Sequence, residues 1–208
     1  MSRASIEPVA IGILAKAPVP GFAKTRLAST LGLDGAAQLQ ARLIERAAAT
    51  TAAAATGPMT LWTTEDHPLF RRMHLRFGVT LARQPDGDLG TRMLAAINAA
   101  NAPAMVIGTD CPALTPDHLR SAADDLRAGV DVVILPVEDG GYALIGMRRP
   151  QPALFSAMPW STVTVLAETR RRLTRLGLAW RELTRLWDVD VPDDLERLRR
   201  AGLAGLIG

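Results

Sequence analysis

The chain has 208 residues, 48% of them apolar, and its 24 lysine and arginine residues nearly balance 21 aspartate and glutamate residues. This length and composition fit one α/β domain, residues 1–208, and exclude a disordered chain. A net charge of +3 is weak support for nucleic-acid binding, and a single cysteine excludes an internal disulfide framework. No apolar stretch reaches the ~20 residues of a membrane-spanning helix. We therefore expect a cytoplasmic protein that binds neither membrane nor nucleic acid; its oligomeric state stays open.

Short apolar strands alternate with helical segments along the chain. Strands are predicted at Val9–Ala15, Met59–Thr63, Thr80–Arg83, Ala104–Gly108, Val130–Val137, Tyr142–Met147 and Ala179–Leu183. Helices are predicted at Asp34–Ala55, Pro68–Phe77, Leu89–Ala100, Pro116–Ala128, Val163–Leu176 and Pro192–Ala201. The alternation favours a single-domain, doubly wound, mostly parallel α/β sheet of the Rossmann-like kind. The turn Glu138–Gly141 is too short for a crossover helix, which predicts an antiparallel strand pair late in the chain.

The only two lysines of the chain lie in one loop that follows the first strand, residues 16–27, which we call the lysine loop. Lysine is a compact point charge with three donors and suits a phosphate chain. The loop lacks the glycines of a P-loop, and no G-x-G-x-x-G pattern follows a strand. We predict an anion-binding loop, the alternative being a solvated connection. The predicted phosphate contacts in it are Lys16, Pro20, Gly21, Lys24, Thr25 and Arg26.

A second candidate nucleotide-binding segment, residues 84–92, follows the third strand and opens a helix. Its glycines and exposed N–H groups suit an anion or the polar edge of a base. Alternatively, Asp86 and Asp88 simply cap the helix. The predicted contacts to nucleotide are Gly87, Asp88, Gly90 and Arg92.

Three aspartates are candidate metal ligands. Asp110 follows the fourth strand, on a short turn at the carboxyl end of the sheet where α/β proteins bind ligands. Asp188 and Asp190 alternate with a valine and would share one face of an extended segment, where a cation would relieve their repulsion. The alternatives are a turn aspartate for Asp110 and helix capping for the other two. We expect Asp193 and Asp194 to be structural, because acids stabilise a helix start.

Taken together, these motifs resemble the nucleotide-diphospho-sugar transferase superfamily, which has a glycosyltransferase-A-like fold. Within it the chain is similar to an uncharacterised bacterial family usually labelled glycosyltransferase and sometimes linked to arsenosugar biosynthesis. The lysine loop also resembles that of small nucleotidyltransferases, although Ala15, Ala17 and two prolines replace early glycines of that loop. The matching segments are Lys16–Leu27, Gly87–Met93, Gly108–Pro112, Glu138–Tyr142, Trp160–Thr162 and Asp188–Leu195.

The resemblance implies a metal-dependent transferase that uses a nucleotide-activated donor. Asp110 would bind Mg²⁺ or Mn²⁺ together with Asp188 or Asp190, and Lys16 and Lys24 would act on the phosphates. One reaction is glycosyl transfer from a nucleotide sugar to a small acceptor, with Asp139 as base if the acceptor is a hydroxyl. The alternative is nucleotidyl transfer from a nucleoside triphosphate to a phosphorylated small molecule. An alternative of another class is a non-catalytic nucleotide-binding or RNA-binding module that uses the arginines at 170–172.

Overall fold

The computed structural model describes residues 7–100 and 103–208. Its strands are β1 (Ala10–Ala15), β2 (Met59–Thr63), β3 (Thr80–Arg83), β4 (Ala104–Ile107), β5 (Val132–Pro136), β6 (Tyr142–Met147) and β7 (Trp180–Glu182). Its helices are α1 (Ala28–Ala54), α2 (Pro68–Phe77), α3 (Leu89–Asn98), α4 (Pro116–Arg127), α5 (Val165–Arg175) and α6 (Pro192–Arg200). The predicted alternation of strands and helices is therefore confirmed, with boundaries that differ by a few residues.

All seven strands form one sheet in the order β3-β2-β1-β4-β6-β5-β7. Strands β3, β2, β1 and β4 are parallel neighbours, and β7 runs parallel to β5. Only β6 runs against its neighbours, β4 and β5. The short Glu138–Gly141 turn reverses the chain between β5 and β6, which confirms the predicted antiparallel pair and the fold class.

The sheet is buried on both faces because its strands alternate between two apolar clusters. Ile11 and Ile13 pack with α1, α2 and α4 on one face. Val106 and Ile134 pack with α3 and α5 on the other. A third cluster joins Leu27 and the middle of α1 to α6, and it contains Val189, which lies between Asp188 and Asp190 in the sequence. This third cluster holds the segment 187–190 against the carboxyl end of the sheet.

Two helix starts illustrate how local sequence sets the boundaries. Thr115 caps α4 as predicted, and His118 reciprocates by accepting the Thr115 backbone N–H at 3.1 Å. Helix α1 begins at Ala28, six residues before the predicted Asp34, because a first helical turn precedes a kink at Gly32. Gly32 has φ 71°, a conformation that glycine adopts without steric cost.

No helix in the described parts of the chain has the length and apolar character needed to cross a membrane.

Candidate functional site

A cleft of about 820 Å³ opens at the carboxyl ends of β1 and β4. Its walls come from the lysine loop, the segment after β4, the Glu138–Gly141 turn, the loop before α5 and the segment 187–190. Of the predicted site residues, Lys16, Lys24, Thr25, Arg26, Arg92, Asp110, Asp139, Asp188 and Asp190 line this cleft. Pro20, Gly21, Gly87, Asp88 and Gly90 are not among the lining residues.

The ammonium group of Lys24 lies between the candidate metal ligands. Its Nζ donates to the Val189 carbonyl at 2.6 Å and lies 2.8 Å from Asp110 Oδ1 and 3.6 Å from Asp190 Oδ1. The Lys24 side chain is only 4% exposed. Its backbone has φ 47° and ψ 43°, a left-handed conformation that is uncommon for a residue with a β-carbon. The loop is thus shaped to aim this lysine inward, at carboxylates.

Asp110 and Asp190 lie at this position, and Asp139 and Asp188 line the same cleft. Burial first, and then the neighbouring charges of Asp139, Asp110 and Asp190, raise the pKa of Asp188 to about 6. Arg26 Nη1 donates to Asp190 Oδ2 at 2.7 Å, so Arg26 and Lys24 are the two cations bound by the cluster. The carboxylates at this position thus bind positive charge supplied by the lysine loop.

Backbone contacts fix the segment that carries Asp188 and Asp190. The Val189 N–H donates to the Asp110 carbonyl at 2.8 Å, which joins this segment to the end of β4. Val189 is fully buried, while the aspartates on either side line the cleft. Asp194 Oδ2 accepts the N–H groups of Asp190 and Val191, both at 2.8 Å, and so caps the start of α6. This structural role for Asp194 is the one that its place at a helix start predicts.

Two other cations line the cleft without an ion pair among the described residues: Lys16, directly after β1, and Arg92, on α3. Gln84 holds Arg92 near the end of β1. Its amide nitrogen donates to the carbonyls of Ala15 at 3.1 Å and Trp62 at 2.8 Å, which turns its oxygen towards Arg92 Nη1 at 3.4 Å. Arg92 Nε is buried and has no partner in this structure.

The sequence reasoning did not select Gln84, which lines the cleft. Its position directly after β3 was the available signal, because the ends of parallel strands meet at one edge of the sheet.

Asp88 and Gly90 make structural contacts next to the cleft and do not line it. Asp88 caps α3 by accepting Thr91 N–H at 2.8 Å, and it also accepts Trp160 Nε1–H at 3.2 Å. These bonds, the Thr91 backbone first, lower the pKa of Asp88. A β-carbon on Gly90 would lie 2.8 Å from the Trp160 ring and 2.9 Å from Phe155 Cβ. The geometry favours the capping alternative for Asp88 and a packing role for Gly90.

Pro20 and Gly21 shape the lysine loop. The N–H groups of Phe22 and Ala23 both donate to the Val19 carbonyl, at 3.0 and 3.1 Å, and Gly21 takes φ 80° within this turn. The turn presents Phe22 at the rim of the cleft, where its side chain is 66% exposed.

The loop before α5 packs against the Glu138–Gly141 turn. Leu166 N–H donates to the Gly140 carbonyl at 2.9 Å, and the Val163 backbone lies so close that Gly140 has no room for a β-carbon. Ser161, in the same loop, has φ 62°. Asp139, next to Gly140, accepts the Gly141 N–H at 2.8 Å through Oδ1. The turn thus fixes the carboxylate that was predicted as base.

Two other sequence features have structural explanations. Burial raises the pKa of the Cys111 thiol to about 12, which disfavours the reactive thiolate. The arginines at 170–172 do not form a free cationic face: Arg170 pairs with Glu182 at 2.6 Å, and Arg171 and Arg172 both pair with Glu168 at 2.6 Å. Two carboxylates thus offset two of these three charges, which weakens the RNA-binding alternative, while Arg175 on the same helix is exposed.

Comparison with known proteins decides the family. The model of a family described as "Uncharacterized protein conserved in bacteria (DUF2064)" matches residues 31–162. The chain belongs to this family. No curated protein matches the chain significantly by sequence.

Solved structures place this DUF2064 protein in the nucleotide-diphospho-sugar transferase superfamily, which confirms the resemblance. One is a protein of Desulfovibrio desulfuricans G20 that is provisionally described as a nucleotide-diphospho-sugar transferase. The two chains are 26% identical with a TM-score of 0.82, and the match covers 96% of this chain and 93% of the other. Two more distant structures share the fold. One is a Methanothermobacter nucleotidyl transferase (18% identity, TM-score 0.61, 95% and 99% coverage). The other is glucosyl-3-phosphoglycerate synthase of Mycobacterium tuberculosis with Mn²⁺, UDP and glucosyl-3-phosphoglycerate. It is 11% identical with a TM-score of 0.58, and the match covers 97% of this chain and 78% of the synthase.

Proposed function

We propose that this DUF2064 protein is a divalent-metal-dependent transferase that moves a glycosyl group from a nucleotide sugar to a small acceptor. The observation that carries the proposal is the convergence of Asp110 and Asp190 on one cation position, in a cleft that also holds the unpaired cations Lys16 and Arg92. Acidic and basic groups so arranged are complementary to a metal–diphosphate unit.

The donor set fits Mg²⁺ or Mn²⁺. No three His, Cys, Asp or Glu side chains within residues 7–100 and 103–208 form a complete metal-binding group. Mg²⁺ commonly takes only one or two protein carboxylates and completes its shell with phosphate and water. Asp110 and Asp190 would supply these, with Asp188 beside them, and the relative from Mycobacterium tuberculosis was solved with Mn²⁺ and UDP. The ion, when bound, would neutralise charge that develops on the leaving phosphate.

Four cationic side chains would neutralise the charge of the phosphates. Lys16 and Arg92 have no carboxylate partner in the described chain and are free to bind phosphate oxygens directly. Lys24 and Arg26 pair with Asp110 and Asp190, so the Lys24 ammonium would be displaced towards the phosphates by a metal ion bound to these aspartates. Positioning and electrostatics of this kind dominate the transfer of groups from phosphates, and loss of one preorganised donor costs about 10²–10³ in rate.

Asp139 would be the general base. Its Oδ1 is fixed by the Gly141 N–H, and its carboxylate lines the cleft. It would take the proton of an acceptor hydroxyl while that oxygen bonds to the anomeric carbon. The bond between the sugar and the phosphate breaks as this new bond forms, and its electron pair leaves with the nucleoside diphosphate.

Nucleotidyl transfer is the second candidate, and one observation favours it. The unpaired Lys16 and Arg92 lie in the cleft in addition to the two cations at the carboxylates, a number that suits the larger charge of a triphosphate. The leaving group would then be pyrophosphate, and the acceptor would be a phosphate that needs no base.

Thermal-shift screening of nucleoside triphosphates, diphosphates and nucleotide sugars, with and without Mg²⁺ or Mn²⁺, tests the proposal. We expect a metal-dependent shift that Asp110→Asn removes while the variant stays folded. The matched control is Asp117→Asn, an exposed first-turn residue of α4 outside the cleft. Release of nucleoside diphosphate supports glycosyl transfer, and release of pyrophosphate supports the second candidate. Binding without either product would favour a non-catalytic module, and an unchanged shift in Asp110→Asn would refute the metal assignment.

A further inference from the structure

One wall of the cleft differs in chemistry from the wall that carries the cations. We call it the acceptor wall and define it by Asp139, Trp160, Ser161, Thr162 and Val163, which all line the cleft. It consists of the end of the Glu138–Gly141 turn and the loop before α5, which pack directly on each other. The acceptor wall therefore contains Asp139, the residue proposed as base.

The cleft exposes apolar side chains, one of them on the acceptor wall and two on the elements that face it. Val163 is 75% exposed, and Phe22, which reaches the same cleft from the lysine loop, is 66% exposed. Leu89, another exposed apolar residue, also lines the cleft, next to the Asp88 carboxylate that binds Trp160. Single exposed apolar side chains are ordinary on a protein surface, but three around one cleft indicate contact with an apolar ligand surface.

The acceptor wall contains no cation. Its charged group is the Asp139 carboxylate. The cations that line the cleft, Lys16, Lys24, Arg26 and Arg92, all belong to the lysine loop or α3. A phosphate or carboxylate placed against the acceptor wall would therefore meet like charge, which disfavours binding.

Hydroxyl groups are the other polar groups of the acceptor wall. Ser161 takes φ 62°, an uncommon conformation for a residue with a β-carbon, and its side chain is exposed at the cleft. Thr162 Oγ1 already donates to the Pro159 carbonyl at 2.7 Å, so Ser161 is the freer donor and acceptor. Such a surface is suited to hydroxyl groups of a ligand, with apolar contact beside them.

We propose that the acceptor is an uncharged hydroxyl compound with an apolar face, such as a neutral glycoside or polyol, and is not phosphorylated. This inference rests on the proposed glycosyl transfer and narrows it, because a phosphorylated acceptor is what the nucleotidyl alternative requires. It names Phe22 and Val163 as the side chains that contact the apolar face of the acceptor.

Matched small probes test the inference by binding alone. Phenyl β-D-glucopyranoside is an uncharged hydroxyl compound with an apolar face, and phenyl phosphate keeps the ring but carries charge. Both are titrated by saturation-transfer NMR in saturating Mg²⁺ and inorganic pyrophosphate, which occupy the cations of the other wall. We expect the glucoside to bind at least ~10-fold more tightly, since like charges weaken binding of the phosphate. Phe22→Ala and Val163→Ser should each weaken glucoside binding several-fold.

The control variant is Leu75→Ala, because Leu75 is 82% exposed on α2 and lies outside the cleft. Equal or tighter binding of phenyl phosphate, no saturation transfer to the glucoside, or no effect of Phe22→Ala and Val163→Ser would overturn the inference. These outcomes are distinct from failure of the proposed function, which would appear as absence of any metal-dependent nucleotide shift.

Discussion

Replacement of Lys24 by methionine removes the cation that joins the two candidate metal ligands while keeping most of the side-chain volume. The buried ammonium group contacts Asp110, Asp190 and the Val189 carbonyl at 2.8, 3.6 and 2.6 Å. Breaking a fully buried pair costs about 3–5 kcal/mol, but these carboxylates are 49% and 45% exposed, and water replaces part of the lost interaction. We expect a loss of about 2 kcal/mol, which for a chain of this length lowers Tm by about 4–8 °C.

The same substitution should strengthen the response to metal. In the unliganded protein the ammonium of Lys24 and a divalent ion compete for Asp110 and Asp190, and Lys24→Met removes the competitor. Titration with Mn²⁺ in the absence of nucleotide, followed by thermal unfolding, should therefore give a larger rise in Tm for Lys24→Met than for the unsubstituted protein.

Lys16→Met is the matched control, because the other lysine of the chain is exposed and has no ion pair in the described residues. Its free energy of unfolding should change by no more than about 0.5 kcal/mol. If Lys24→Met and Lys16→Met have the same stability and the same response to Mn²⁺, the ammonium of Lys24 does not neutralise the carboxylates, and the charge argument for the metal position fails.

Three further substitutions probe other parts of the site. Asp190→Asn should remove most of the metal-induced rise in Tm and Asp188→Asn less, because Asp190 shares the Lys24 ammonium with Asp110. The reverse order in thermal unfolding would reassign the ligand to Asp188. Arg92→Gln should weaken nucleoside diphosphate binding by about tenfold or more in calorimetry and leave nucleoside binding unchanged, since only the diphosphate carries the charge that Arg92 would neutralise. Arg175→Gln is the control, because Arg175 is exposed and lies outside the cleft. Gly90→Ala should lower the free energy of unfolding by about 1–3 kcal/mol, because the added carbon would lie 2.8–2.9 Å from Trp160 and Phe155. An unchanged midpoint in denaturant unfolding would show that these residues move aside without cost.

Sequence patterns predicted the fold because the determining signals are local. Strand periodicity, the capped start of α4 at Thr115 and the short Glu138–Gly141 turn each act over a few residues, and the structure agrees with them. The sequence did not predict the helical turn before Gly32, because a glycine interrupts the helical pattern there. In the structure this glycine has φ 71°.

The geometry of the site could be predicted only in part. Position after a strand selected Asp110, and the scarcity of lysine in the chain selected Lys24. Their mutual contact depends on β1 lying beside β4, and the contact of Lys24 with Val189 joins residues 165 apart in sequence. Exposure at the cleft, which marks Phe22 and Val163, has no local signature because it depends on how separate loops meet.

The cluster that holds Val189 also couples the position of Asp190 to the attachment of α6, so the affinity of any ligand bound by Asp190 would depend on that helix. Val189 is anchored by Leu27 and Leu195 and by the Asp110 carbonyl, and Asp190 follows it directly. Local opening of α6 would withdraw that carboxylate while the sheet stays folded, so a ligand that needs it must oppose the opening. At 100 times its Kd such a ligand would make the opening about 2.7 kcal/mol less favourable, and slowed amide hydrogen exchange in α6 would report that linkage without any knowledge of the reaction.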